Sequence, residues 1–232
     1  MNLNSSQTQL RVGGLARLST CDWPGQLVAT VFCQGCAWDC AYCHNAHLRP
    51  VQSDEQIAWP AVLEFLRKRK GLLDAVVFSG GEPLLQAALP AAVEQVRELG
   101  FRVGLHTGGT LPERLATLLP LLDWVGFDVK APFSVYQRIT GVSQSGKAAR
   151  ASLKALLASG VAYEVRTTVH PALLSVDELI GLRGELLALG VTHYAVQQFR
   201  AAGTHEDRLP LLPQVSLPND FGLAFREFTL RG

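Results

Sequence analysis

Cys33-Gln34-Gly35-Cys36-Ala37-Trp38-Asp39-Cys40-Ala41-Tyr42-Cys43-His44-Asn45 holds four of the five cysteines of the chain. Its centre is a triplet, Cys36, Cys40 and Cys43, with three and then two residues between. Three thiolates close in sequence, on a loop opened by Gly35, can grip one face of a small metal centre. Soft sulfur donors select zinc or an iron–sulfur cluster. A cubane cluster held by three cysteines keeps one iron free of protein ligands, and an open metal position is where chemistry happens. A structural zinc ion would need a fourth ligand, for which Cys21, Cys33 or His44 could serve. A disulfide framework does not fit one knot of cysteines in an otherwise cysteine-poor chain of 232 residues. Outside the triplet, Cys21 and Cys33 read as small buried apolar side chains.

Composition narrows the class. Hydrophobic residues make up 48% and charged residues 18%, which excludes a disordered chain and supports a full core. Lys and Arg number 21 against 20 Asp and Glu. That balance carries no electrostatic footprint for nucleic acid or an anionic membrane. The polar start, Met1 to Leu10, lacks the apolar run of a signal peptide, and no apolar stretch is long enough to span a bilayer. A thiol-rich loop in such a chain is expected in the reducing cytoplasm. No linker marks a boundary, so residues 1–232 are expected to form a single domain, with 1–20 as an extended lead-in and 201–232 as a tail.

Strand and helix signals alternate along the chain. Short apolar runs at 26–33, 74–78, 101–106, 123–129, 161–169 and 192–199 read as strands. Helical patterns fall at 54–70, 84–99, 112–119, 133–139, 146–158 and 176–189, several of them stopped by Gly100, Gly160 or Gly190. A last helix is expected over 219–229. Six βα units with apolar strands predict an α/β fold, an incomplete (β/α)6 TIM-like barrel.

In such folds chemistry collects at the carboxyl ends of the strands. Gly80-Gly81-Glu82-Pro83 follows the second strand, and its glycines allow a ligand close to the backbone. His106-Thr107-Gly108-Gly109 follows the third. Asp128 and Lys130 share one face at the end of the fourth by the strand's period of two. Arg166 sits within the fifth, facing either the barrel interior or solvent, and Arg200 follows the sixth. His170 reads as structural. No nucleophile–His–acid set is evident in the sequence.

The Cys-x3-Cys-x2-Cys triplet with Tyr42 before its last member resembles the cluster signature of radical S-adenosylmethionine (SAM) enzymes. Gly35 and His44-Asn45 narrow the resemblance to activases of glycyl radical enzymes, most similar to those of anaerobic ribonucleoside-triphosphate reductase. The resemblance spans about residues 19–200 and implies the same barrel. It implies one [4Fe-4S] cluster on Cys36, Cys40 and Cys43, since the extra cysteine-bearing insertion of larger activases is missing. It implies SAM held by Gly80, Gly81 and Glu82 at its amino group. Asp128, Lys130 and Arg166 fall near its carboxylate, Thr107 is a further SAM contact, and Tyr42 lies beside its adenine; no catalytic side chain is implied beyond the cluster and SAM. Related activases carry Asp-Thr-Asn-Gly where this chain has His106-Thr107-Gly108-Gly109, so only Thr107 and Gly109 carry over. The implied partners are a glycyl radical enzyme, anaerobic ribonucleotide reductase first, and an electron donor such as flavodoxin or ferredoxin. Alternatives are activation of pyruvate formate-lyase or another glycyl radical enzyme, a small-molecule radical SAM reaction of the deazapurine type, and a zinc-binding interaction module.

Overall fold

The computed structural model describes residues 9–201 and 209–232. Eight strands form one sheet in sequence order: β1 (Val12–Ser19), β2 (Val28–Cys33), β3 (Ala75–Gly80), β4 (Arg102–Thr107), β5 (Trp124–Asp128), β6 (Ala162–Val169), β7 (His193–Gln198) and β8 (Glu227–Arg231). β1 runs antiparallel to β2, and every later pair is parallel. Among the described residues six α-helices follow strands β2 to β6: α1 (Trp59–Arg67), α2 (Leu89–Glu98), α3 (Pro112–Leu118), α4 (Tyr136–Thr140), α5 (Ser145–Ser159) and α6 (Val176–Ala188). Strands β2 to β7 are the six expected ones, and this partial barrel is the fold class read from the sequence.

The period of two sorts each strand into two faces. Val76, Phe78, Val103, Leu105, Val125, Phe127, Val165 and Val196 join one core with helix residues such as Val62, Leu66, Val93, Leu153 and Leu182. Burying each such side chain fully contributes about 1.5–3 kcal/mol. The other face lines the barrel lumen. Its floor is a separate cluster of Trp23, Val28, Ala75, Val77 and Trp124, in which the two indoles stack at 5.3 Å. Above that floor the lumen turns polar, and the site lies there.

Three expectations need correction. The described part of the extended lead-in contains a strand that was not among the expected six, β1, paired antiparallel with β2. The helix expected over 219–229 is a run of turns leading into β8. β7 would otherwise leave an unpaired edge, and strand pairing satisfies its backbone groups. The apolar spacing that looks helical comes from Phe221 and Phe225, whose rings pack with Phe228 around Tyr194. The helices expected from 54 and 84 start later, at Trp59 and Leu89, because Pro60 and Pro90 fit only the first turn.

Candidate active site

The triplet loop leaves β2 and crosses the carboxyl end of the barrel. It is pinned on three sides. Gly35 N–H donates to Leu48 C=O at 2.7 Å and Cys36 N–H to Arg49 C=O at 3.0 Å. Asp39 N–H donates to Thr140 C=O at 2.9 Å, while the Asp39 carboxylate pairs with Arg49 at 2.6 Å. On the far side, His44 Nε2 donates to Arg200 C=O at 2.9 Å, which ties the loop to the end of β7.

The turn after β3 is built against this loop. Gly81 N–H donates to Cys33 C=O and Glu82 N–H to Gly35 C=O, at 2.9 and 2.8 Å. A Cβ on Gly81 would stand 2.3 Å from the Gly35 oxygen, and Gly80 has φ +112° with Cys33 backbone 2.4 Å from its would-be Cβ. Glycine here serves close packing of two backbones as much as approach of a ligand. Glu82 is buried, and its carboxylate accepts from Thr107 Oγ1 at 2.8 Å and from the Leu84 and Gly108 N–H groups at 3.1 Å each. Burial pushes its pKa up to about 7 against those three donors.

Lys130 and Asp128 share a face, with Nζ 3.4 Å from Oδ2, and the ammonium lies 5.6 Å from the centre of the Tyr42 ring. Arg166 faces the lumen and is buried, the first of the two orientations left open by the sequence. His106 is also in the lumen. Its Nε2 lies 2.6 Å from Asp22 C=O and its Nδ1 3.3 Å from Ser79 Oγ, so the tautomer with a proton on Nε2 fits both. Burial and the neighbouring Arg166 lower its pKa to about 4, which keeps the ring neutral at pH 7. Gly108 is explained by the loop above it, since a Cβ there would lie 2.5 Å from the Trp38 ring.

One cavity of about 660 Å³ gathers these groups. It is lined by Cys36, Cys40, Cys43, Tyr42, Gly80, Gly81, Glu82, Thr107, Asp128, Lys130 and Arg166, the full set of site residues expected from the sequence. Arg200 lines it too, whereas His170 is outside the lining and holds Pro210 C=O from Nε2 at 3.0 Å. Cys33 is buried as expected. Cys21 is not: it is exposed on the turn between β1 and β2 and lines the cavity rim. Sequence reasoning missed Asp22, Ser79, Gln197 and above all Arg231, which also line the cavity. The alternation of Glu227, Thr229 and Arg231 is the signal that could have found Arg231.

The donor set fits an iron–sulfur cluster. All five cysteines are free thiols. Burial pushes Cys36 up to about 12, against the Trp38 backbone N–H, and raises Cys40 as well. Such thiols release their protons to a metal centre rather than to water. Three soft thiolates on one side of the cavity are the donor type that iron–sulfur clusters take.

The sequence profile of the Radical SAM superfamily matches residues 30–184, well over half of the chain. The chain belongs to the radical SAM superfamily. It is accordingly a radical SAM oxidoreductase. A Methanocaldococcus jannaschii protein assigned as a glycyl-radical enzyme activating enzyme is 30% identical over 214 residues, 87% of this chain and 85% of that protein. The pyruvate formate-lyase-activating enzyme of Clostridium pasteurianum is 30% identical over 73% of each chain. A 7-carboxy-7-deazaguanine synthase of Methanopyrus kandleri is 36% identical, over 47% of this chain and 51% of its own. Among solved structures, QueE from Escherichia coli superposes with a TM-score of 0.54 at 20% identity, covering 84% of this chain and 86% of that one. SuiB from Streptococcus suis bound to S-adenosylmethionine gives 0.58 at 14%, and this radical SAM chain spans 39% of its length. At these identities the two structures bear on the fold alone. No helix among the described residues is long and apolar enough to cross a membrane.

Proposed function

We propose that the protein is an activase of a glycyl radical enzyme, with anaerobic ribonucleoside-triphosphate reductase as its target. The observation that carries the reading is the single cavity in which the three triplet cysteines meet the eight other residues expected at the site. Cys36, Cys40 and Cys43 would hold one [4Fe-4S] cluster, which would supply the one-electron reduction of SAM on which hydrogen abstraction from a glycine of the partner depends.

The chain's own residues bind and orient. Gly80 and Gly81 let the ligand lie against backbone, and Glu82, anchored by Thr107 and two N–H groups, receives the SAM ammonium. Lys130 and Arg166 bring positive charge to its carboxylate, with Asp128 keeping Lys130 in place. Tyr42 flanks the adenine, and Trp38, packed edge-on against Tyr136 behind it, forms part of the cavity wall. No side chain acts as a general base. The whole chain acts as one domain in the cytoplasm, reduced by a flavodoxin or ferredoxin. Coverage favours an activase: the Methanocaldococcus relative matches nearly the whole chain.

A second reading, a small-molecule reaction of the 7-carboxy-7-deazaguanine synthase kind, is supported by the Methanopyrus relative across about half of the chain. Mixing reconstituted protein, SAM and a reductant with each candidate partner separates the two. A glycyl radical doublet in electron paramagnetic resonance with the anaerobic reductase is expected. A doublet with pyruvate formate-lyase alone would move the target. No doublet with any partner, together with ring contraction of a pterin substrate, would sink the activase reading.

A further inference from the structure

Arg166 is held from every side. Its Nε donates to Glu164 Oε1 at 2.8 Å, and one terminal nitrogen lies 3.4 Å from Asp22 C=O. The other lies 3.1 Å from His106 Nε2, a close approach and not a hydrogen bond, because that nitrogen gives its proton to Asp22 C=O. The Trp124 ring lies 5.0 Å from its Cζ, and a Cβ on Gly126 would come within 2.9 Å of the same carbon. Of these contacts only Glu164 carries opposite charge. Glu164 stands two residues earlier on β6, hence on the same lumen face.

What fixes Glu164 comes from the last strand. Arg231 donates from Nη1 to Oε1 at 2.9 Å and from Nη2 to Oε2 at 2.6 Å, a two-point ion pair. Arg231 stands opposite Gln197 in the β7–β8 register and reaches across β7 to β6. Ala195, opposite both Arg166 and Thr229, is small enough to let it pass. Glu164 is mostly buried, with 14% of its side chain exposed, and Arg166 retains 8%. Without Arg231 the carboxylate would keep one charged partner and could turn together with it.

We propose that Arg231 is a positioning residue of the site. Through Glu164 it fixes the direction in which Arg166 presents its terminal nitrogens to the ligand in the cavity. The proposal rests on the reading of Arg166 as a contact for the SAM carboxylate.

The test measures SAM affinity by equilibrium dialysis on anaerobically reconstituted holoprotein, with iron content and thermal midpoint recorded alongside. Arg231→Met is expected to weaken SAM binding about tenfold at unchanged iron content. Arg231→Lys keeps the charge but not the two-point geometry, and is expected to recover less than half of that loss. In an Arg166→Met background, Arg231→Met is expected to change affinity by less than about twofold. Equal weakening in both backgrounds overturns the proposal, because Arg231 would then act without Arg166. Unchanged affinity in Arg231→Met also overturns it, even where the thermal midpoint falls, while a loss in Arg166→Met leaves the reading of that residue standing. Wild-type affinity in Arg166→Met removes that reading and the proposal together. If Arg231→Met takes up no iron, Glu164→Gln serves in its place, with the same expected loss and the same non-additivity.

Discussion

Gly81 shows how tightly single residues are committed here. Its missing Cβ lets the turn after β3 touch the Gly35 carbonyl of the triplet loop. Gly81→Ala forces that oxygen and the proposed Cys36 ligand beside it to move, since backbone cannot yield as a flexible side chain can. We expect a loss of about 1–3 kcal/mol in stability and lower iron uptake on reconstitution, read by denaturant unfolding and metal analysis. The glycine pair was legible in the sequence as a place of close approach. The identity of what approaches was not: the sequence suggested a ligand, and the structure adds the chain's own cysteine loop. Trp38 and Gly108 form a second such pair, 70 residues apart, and nothing local in either segment announces the other.

Elements behave as their termini direct. Ser175 caps α6 by a reciprocal arrangement: its Oγ accepts from Glu178 N–H at 3.2 Å, and its own N–H donates to Glu178 Oε2 at 2.9 Å. Ser175→Ala is expected to cost about 1 kcal/mol by urea unfolding and to leave SAM affinity unchanged, because the cap lies outside the cavity lining. The six parallel strands were readable because each is a short apolar run between glycine or proline breaks, a signal contained in five to nine residues. Strand β8 was not. Its five residues are mostly exposed, and its conformation is imposed by the free edge of β7 and by the phenylalanine cluster on Tyr194.

At the scale of the molecule, the barrel separates an apolar floor from a polar lumen, and His106 sits at that boundary. Its ring is held neutral, with a pKa near 4 against 6.5 in the unfolded chain. Between those values the unfolded chain binds the extra proton on this ring and the folded one does not, so the His106 contribution to stability rises with pH across this window. That contribution falls by about 2 kcal/mol between pH 7 and pH 5, and it is opposed by Glu82, whose raised pKa makes the folded chain the one that takes up a proton there. The His106 share is read as the difference between the urea midpoints of the wild type and His106→Gln at the two pH values, the variant losing less stability at pH 5; identical pH dependence in both would overturn it. Local information in the chain was enough to establish the cysteine triplet, the glycine turns, the alternation of strand and helix, and hence the barrel and the end of it that carries the site. Spacing and periodicity act over a few residues, and these features need no more than that. Whether His106 would be neutral, which way Arg166 would face, and that Arg231 would reach Glu164 from 67 positions away depended on strand register and edge pairing. Those come into being only when distant strands close around one lumen.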